Sequence, residues 1–221
     1  MKRGILLAAS FVLMMATLYL VFLYAPIEKE MGIVQKIFYL MVPMGWLALL
    51  SFVITFIGSI LYLTKKAVKW DILGHSAAEV GIVFTTLALA TGSIWAKPIW
   101  GVWWDWGTPR LTSTLVLWLI YIAYFMVRGF ATEEHRGATF AAIVGIVGFF
   151  DVPLIILSTT LWRGLHPPLI IFQEGGLDPR MRLALMASIV AFTLLYVLLV
   201  NIRVSIRNNE TELRRLKELS D

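Results

Sequence analysis

Five tryptophans fall within twelve residues, in the stretch WAKPIWGVWWDW from Trp95 to Trp106, and GTPRLTS follows at once. An indole is a flat apolar ring with a single N–H that needs a polar partner. One or two at a helix end belong to an ordinary membrane-interface belt. Trp95, Trp100, Trp103, Trp104 and Trp106 together make a surface, and such a surface suits a large, flat, partly apolar ligand. Lys97 and Arg110 bracket it. They either pair with carboxylates of that ligand, as guanidinium does best, or lay their stems along apolar surface with the charged heads in water.

The elements that must hold this surface follow from composition. Of 221 residues, 59% are hydrophobic, and the mean hydropathy is +0.81. Those values exclude an ordinary soluble domain. A bilayer span takes about 20 mostly apolar residues. Six such runs are present, at roughly 4–25, 41–63, 77–95, 112–128, 138–161 and 183–202. The expected fold is therefore an all-α integral membrane protein of six spans. It forms a single membrane domain over 1–221, with a tryptophan-rich loop at about 95–112 and a charged tail at about 203–221. The first run is too long for the apolar part of a signal peptide, and Tyr24-Ala25-Pro26-Ile27 is no A-x-A cleavage site.

Twelve of the 19 Lys and Arg residues lie on the side of the termini, the second–third loop and the fourth–fifth loop. That side is expected to be cytoplasmic by the positive-inside rule. Both termini are then cytoplasmic, and the tryptophan loop between the third and fourth spans faces outward. Anionic lipid headgroups account for the net charge of +5, and no nucleic-acid motif is present. With no cysteine, disulfides, CxxC chemistry and thiolate ligands are excluded. The tail NNETELRRLKELSD reads as a solvated charged helix or a contact for a cytoplasmic partner.

This topology sorts the three histidines. His75 and His135 fall on the inner side, His75 four residues before Glu79 on one helix face. His166, in WRGLHPPLIIFQEGGLDPR, shares the outer side with the tryptophans, and Pro167 and Pro168 restrict the backbone after it. An aromatic surface and an imidazole on one face are what a haem site requires. The alternative is a loop histidine with no special role. Met41 lies at the outer start of the second span, two residues before Pro43, which the first turn of a helix tolerates. A thioether is a known haem ligand opposite histidine, although methionine at a span end usually packs. Asp151, two residues before Pro153 in the fifth span, is expected to face the bundle interior, either satisfied there or lining a site.

The run TGSIWAKPIWGVWWDWGTPRLTSTLVLWLIYIAYFMVR resembles the tryptophan-rich WWD signature of haem-handling proteins, most closely the CcmC family of cytochrome c maturation. KIFYLMVP and RGLHPP resemble the two external segments that carry that family's histidines. The resemblance spans nearly the whole chain. It implies a protein of the bacterial inner membrane, not an enzyme in its own right, that holds haem b on the periplasmic face and passes it to the chaperone CcmE. CcmA and CcmB, which form an ABC transporter, and the small protein CcmD are the implied partners. Residue by residue, His166 matches the second histidine, Arg110 the arginine before L-T-S, and Lys36 the basic residue preceding the first histidine. Trp95, Trp100, Trp103, Trp104 and Trp106 support the porphyrin, with Asp105 in place of the family's aspartate. Two features depart from the pattern. Met41 stands at the first histidine position, which makes it the candidate second axial ligand. Asp105 precedes the last tryptophan, with one extra residue before Arg110. Asp151 also stands where a neutral polar residue is expected.

Two other functions remain open on sequence. A WWD-type haem lyase or cytochrome c synthetase would carry more spans and histidines than this chain has. A non-haem solute transporter could use Asp151 and Pro153 along its pathway, but the two halves show no inverted repeat.

Overall fold

A computed structural model describes residues 2–29, 31–131, 133–161 and 177–220. Seven α-helices account for most of them. They are α1 (Lys2–Tyr19), α2 (Phe38–Lys65), α3 (Val68–Trp100), α4 (Pro109–Phe130), α5 (Glu134–Gly148), α6 (Asp151–Leu161) and α7 (Pro179–Glu218). Six stretches among the described residues are long and apolar enough to cross a membrane, with α5 and the start of α6 forming the fifth. The all-α architecture of six spans expected from composition is what the chain forms.

Three boundaries differ from the hydropathy reading. The fifth run is interrupted at Phe149–Phe150. Pro153 has no N–H to give to the Phe149 carbonyl, and its ring crowds that group. Val152 N donates to it instead at 3.1 Å, in a tighter turn. The third span continues to Trp100, so Trp95 and Trp100 are helical and the loop proper is only Gly101–Thr108. Helix α7 runs unbroken for 40 residues, so the charged tail continues the sixth span. Asp178 caps its start by accepting the Arg180 N–H at 2.8 Å, and that bond holds its carboxyl below the usual range.

Helices α2 and α3 are antiparallel neighbours whose register can be read from small residues. A Cβ on Gly58 would lie 3.0 Å from the Gly74 Cα, and the Gly74 carbonyl accepts a 3.2 Å bond from Thr55. Further out, Gly81 faces Ser51, and Gly92 faces Met41. Small side chains let helix backbones approach closely where lipid supplies no hydrophobic drive. Around this pair, Phe52, Leu117, Tyr121, Ala141 and Val152 join α2, α4, α5 and α6 in one core. Leu47, Val80, Phe84, Phe192 and Tyr196 join α2, α3 and α7 in another.

Gly81 is the tightest point of this packing. A methyl there would stand 2.5 Å from the Tyr121 hydroxyl and 2.6 Å from the Ser51 Cβ. Tyr121 is fully buried and donates to the Ala48 carbonyl at 3.3 Å, so it has nowhere to move. Gly81→Ala is expected to cost about 1–3 kcal/mol through overpacking. Thermal unfolding in detergent checks this, and an unchanged midpoint would show that the contact yields.

Candidate functional site

The tryptophan stretch splits into a buried base and an exposed rim. Trp95 is 3% exposed and packs edge-on against Trp100, with ring centroids 5.3 Å apart. Trp103 and Trp106 are 59% and 71% exposed, and Trp106 meets Trp104 edge-on at 5.7 Å. Three features fix the loop between them. Gly101 adopts a left-handed conformation (φ 78°), which ends α3, and its N–H returns to the Lys97 carbonyl at 3.0 Å. The Lys97 ammonium donates to the Gly101 carbonyl at 2.9 Å, so this lysine closes the helix end. At the other end, Pro109 occupies the first turn of α4, where a missing N–H costs nothing.

Asp105 organises the second half of the loop. Its carboxylate accepts the Gly107 N–H at 3.1 Å and the Thr108 hydroxyl at 2.5 Å, and its carbonyl accepts the Thr108 N–H at 3.3 Å. Thr108 is buried immediately before α4. The shifted acid is thus engaged in holding the turn that delivers Arg110. Thr108 was not among the residues singled out from the sequence. The Asp-x-x-Thr spacing just before a helix was the local signal for it.

Two polar groups at this face have no partner among the described residues. The indole N–H of Trp104 is buried without an acceptor. Arg110, in the first turn of α4, is half-buried, and its guanidinium has no hydrogen-bond or ion-pair partner there. The N-terminus of a helix carries partial positive charge, so it favours anions and disfavours an arginine. A cation without a partner among the described residues at that end, and an indole donor in the loop before it, are groups that an anionic ligand could satisfy.

Lys36 is committed elsewhere. Its ammonium donates to the Phe22 carbonyl at 2.7 Å and lies 5.7 Å from the Phe22 ring centroid. The end of α1 widens into a π turn over Leu20–Tyr24, and Lys36 takes up a carbonyl there. Met41 stands on α2 with its sulfur 3.8 Å from where a Gly92 Cβ would lie. Gly92 is three residues before Trp95, so the thioether lies about one helical turn inward of the buried tryptophan. His166 lies outside the described residues.

Residues at the end of α3 remote from the tryptophans form a separate cluster. His75 is buried on α3 against Tyr124 and Phe125, and its Nε2 lies 3.6 Å from Glu79. The local pair expected from i,i+4 spacing is present, but Glu79 is chiefly held by Arg203 and Arg207 of α7. Arg128 of α4 and Asp71 of α3 form a two-bonded pair at 2.6 and 2.7 Å. His135 is exposed. Asp151 is half-buried at the start of α6, with one carboxylate oxygen enclosed and without a hydrogen-bond partner among the described residues.

The family model described as Heme exporter protein C matches residues 3–218. Heme exporter protein C of Bradyrhizobium diazoefficiens is 35% identical over 216 residues, covering 97% of this chain and 80% of that protein. The Escherichia coli K12 protein of the same name is 35% identical over 186 residues, covering 82% and 73%. A putative cytochrome c biosynthesis ccmC-like mitochondrial protein of Marchantia polymorpha is 34% identical over 171 residues, covering 77% and 72%. With a match along nearly its whole length, and six helices long and apolar enough to cross a membrane among the described residues, this chain belongs to the Heme exporter protein C family, CcmC.

Proposed function

We propose that this protein binds haem b against the exposed tryptophan face, on the periplasmic side of the bacterial inner membrane, and hands it to the chaperone CcmE for cytochrome c maturation. The observation that carries the reading is that one short loop and the helix start after it hold two exposed indole rings, Trp103 and Trp106, together with Arg110 and the Trp104 N–H, neither of which has a partner among the described residues. The rings offer apolar faces to a porphyrin, and the two donors suit its propionates. Trp95 and Trp100 back the platform from below, while Asp105 shapes the loop. Both termini lie in the cytoplasm in this reading, as the Lys and Arg distribution favours.

His166 is the proposed iron ligand from the outer loop, and Met41 the ligand opposite. A His/Met pair would raise the reduction potential relative to two histidines. CcmA, CcmB and CcmD are the proposed membrane partners. The protein acts by holding and releasing its cargo, with no bond-making step of its own.

Mixing the purified, haem-loaded protein with the soluble domain of CcmE tests the handover, read as haem retained on CcmE under denaturing conditions. Replacing both Trp103 and Trp106 with alanine is expected to lower the yield about tenfold or more, since each aromatic contact contributes about 0.5–1.5 kcal/mol. Equal yields from wild type and double variant would contradict the proposed platform.

A further inference from the structure

The basic end of the bundle holds a group that the haem reading does not use. Arg203 donates Nε to Glu79 Oε2 at 2.8 Å and Nη2 to Oε1 at 2.7 Å. Arg207 presents the same edge, with Nε at 3.4 Å and Nη2 at 2.5 Å. One bonded carboxylate therefore serves two guanidinium groups, and Glu210, which acts on Arg203 electrostatically, bonds to neither among the described residues. Each arginine is bound through its Nε–Nη2 edge, so each Nη1 amino group points away from Glu79 and has no partner among the described residues. The nearby Asp71 is already neutralised by Arg128, and His75 contributes no negative charge.

The surroundings indicate what these donors face. Arg203 and Arg207 lie four residues apart on α7, an axial separation of about 6 Å. They sit just past the apolar run that ends at Val200, at the depth where a span reaches the headgroup layer. Both side chains are partly open, at 39% and 24% exposed. Deeper in the membrane, Val83 and Leu87 follow Glu79 along one face of α3, and both are exposed. An anion-binding pair thus stands at the end of an uncovered apolar strip.

We propose that Arg203 and Arg207 form a binding site for the phosphate of an anionic phospholipid, whose acyl chain lies along Val83 and Leu87. The two non-bridging phosphate oxygens each accept one Nη1 group. Bonds between a charged donor and a charged acceptor are the strong kind, and arginine favours phosphate for its planar fork.

Native mass spectrometry and thermal unfolding of the full-length protein test the site, with phosphatidylglycerol, phosphatidylcholine or inorganic phosphate as the added probe. Phosphatidylglycerol is expected to raise the unfolding midpoint above that in phosphatidylcholine. It should also survive as a bound copy that the Arg203→Lys/Arg207→Lys protein loses. Lysine keeps the charge and a bond to Glu79 but removes the second amino group. The variant should still unfold cooperatively in phosphatidylcholine, at a midpoint lowered by the lost Glu79 bonds, and its own midpoint should no longer rise with phosphatidylglycerol. Inorganic phosphate should leave the wild-type midpoint unchanged. Equal midpoints in both lipids, or full retention of the phosphatidylglycerol copy by the double variant, would overturn the site. A shift with inorganic phosphate as large as with phosphatidylglycerol would overturn the lipid as its ligand.

Discussion

Arg128→Met is expected to destabilise the protein by about 3–5 kcal/mol, the usual cost of leaving one member of a buried ion pair without its partner. Arg128 and Asp71 are only 15% and 10% exposed, so water cannot take over from the lost bonds. The pair ties the start of α3 to the end of α4, and the opposite ends of these two helices carry the tryptophan loop. The double variant Asp71→Leu/Arg128→Met should recover most of the loss, because a buried pair replaced by well-packed apolar residues is commonly neutral or better. Thermal unfolding in detergent, compared across both single variants and the double, reads the effect. A double variant as unstable as Arg128→Met would show that the residues do more than neutralise each other.

The largest expected effect on ligand binding comes from Arg110. Arg110→Gln should weaken haem affinity about tenfold to a hundredfold, which corresponds to the roughly 1.5–3 kcal/mol of a charge-assisted hydrogen bond. Arg110→Lys should fall between, since it keeps the charge and loses the fork. Folding should be little affected, because the guanidinium has no protein partner among the described residues to lose. Removing a cation from the positive end of α4 is, if anything, favourable to the helix. Haem titration followed by tryptophan fluorescence quenching measures this. An Arg110→Gln protein that binds as tightly as wild type would remove Arg110 from the site.

Much of the fold was legible because lipid imposes a strict rule. Every backbone group must be satisfied within a helix, so each long apolar run must be one. The ends were less legible, for identifiable reasons. Trp95 and Trp100 continue α3 beyond the apolar run, because nothing before Gly101 stops the helix. Helix α7 outlasts its apolar stretch because NNETELRRLKE keeps good helix formers and i,i+4 charge pairs in water. The interruption at Phe149–Phe150 had a local signal in Pro153, but hydropathy averaged over it.

The candidate site was legible as a set of residue types and less so as a geometry. The exposed Trp103 and Trp106, and an Arg110 without a partner among the described residues, suit the platform expected of them. Lys36 is held by a carbonyl at the end of α1 whose proximity no spacing rule reveals, whereas the Asp105–Thr108 contact had a local signal in its i,i+3 spacing. Glu79 shows the same limit. Its neighbour His75 could be read from the helix period, whereas Arg203 and Arg207 lie more than 120 residues away in sequence and meet it only through the packing of α3 on α7.

The central claim is that the outer tryptophan face holds haem with His166 on the iron. The absorption spectrum of the protein purified from haem-replete membranes tests it most directly, set beside His166→Ala and Met41→Ala. A Soret band in wild type that is lost or displaced in His166→Ala, with a further change in Met41→Ala, is the predicted result. A wild-type protein without haem, or a His166→Ala spectrum identical to wild type, would contradict it.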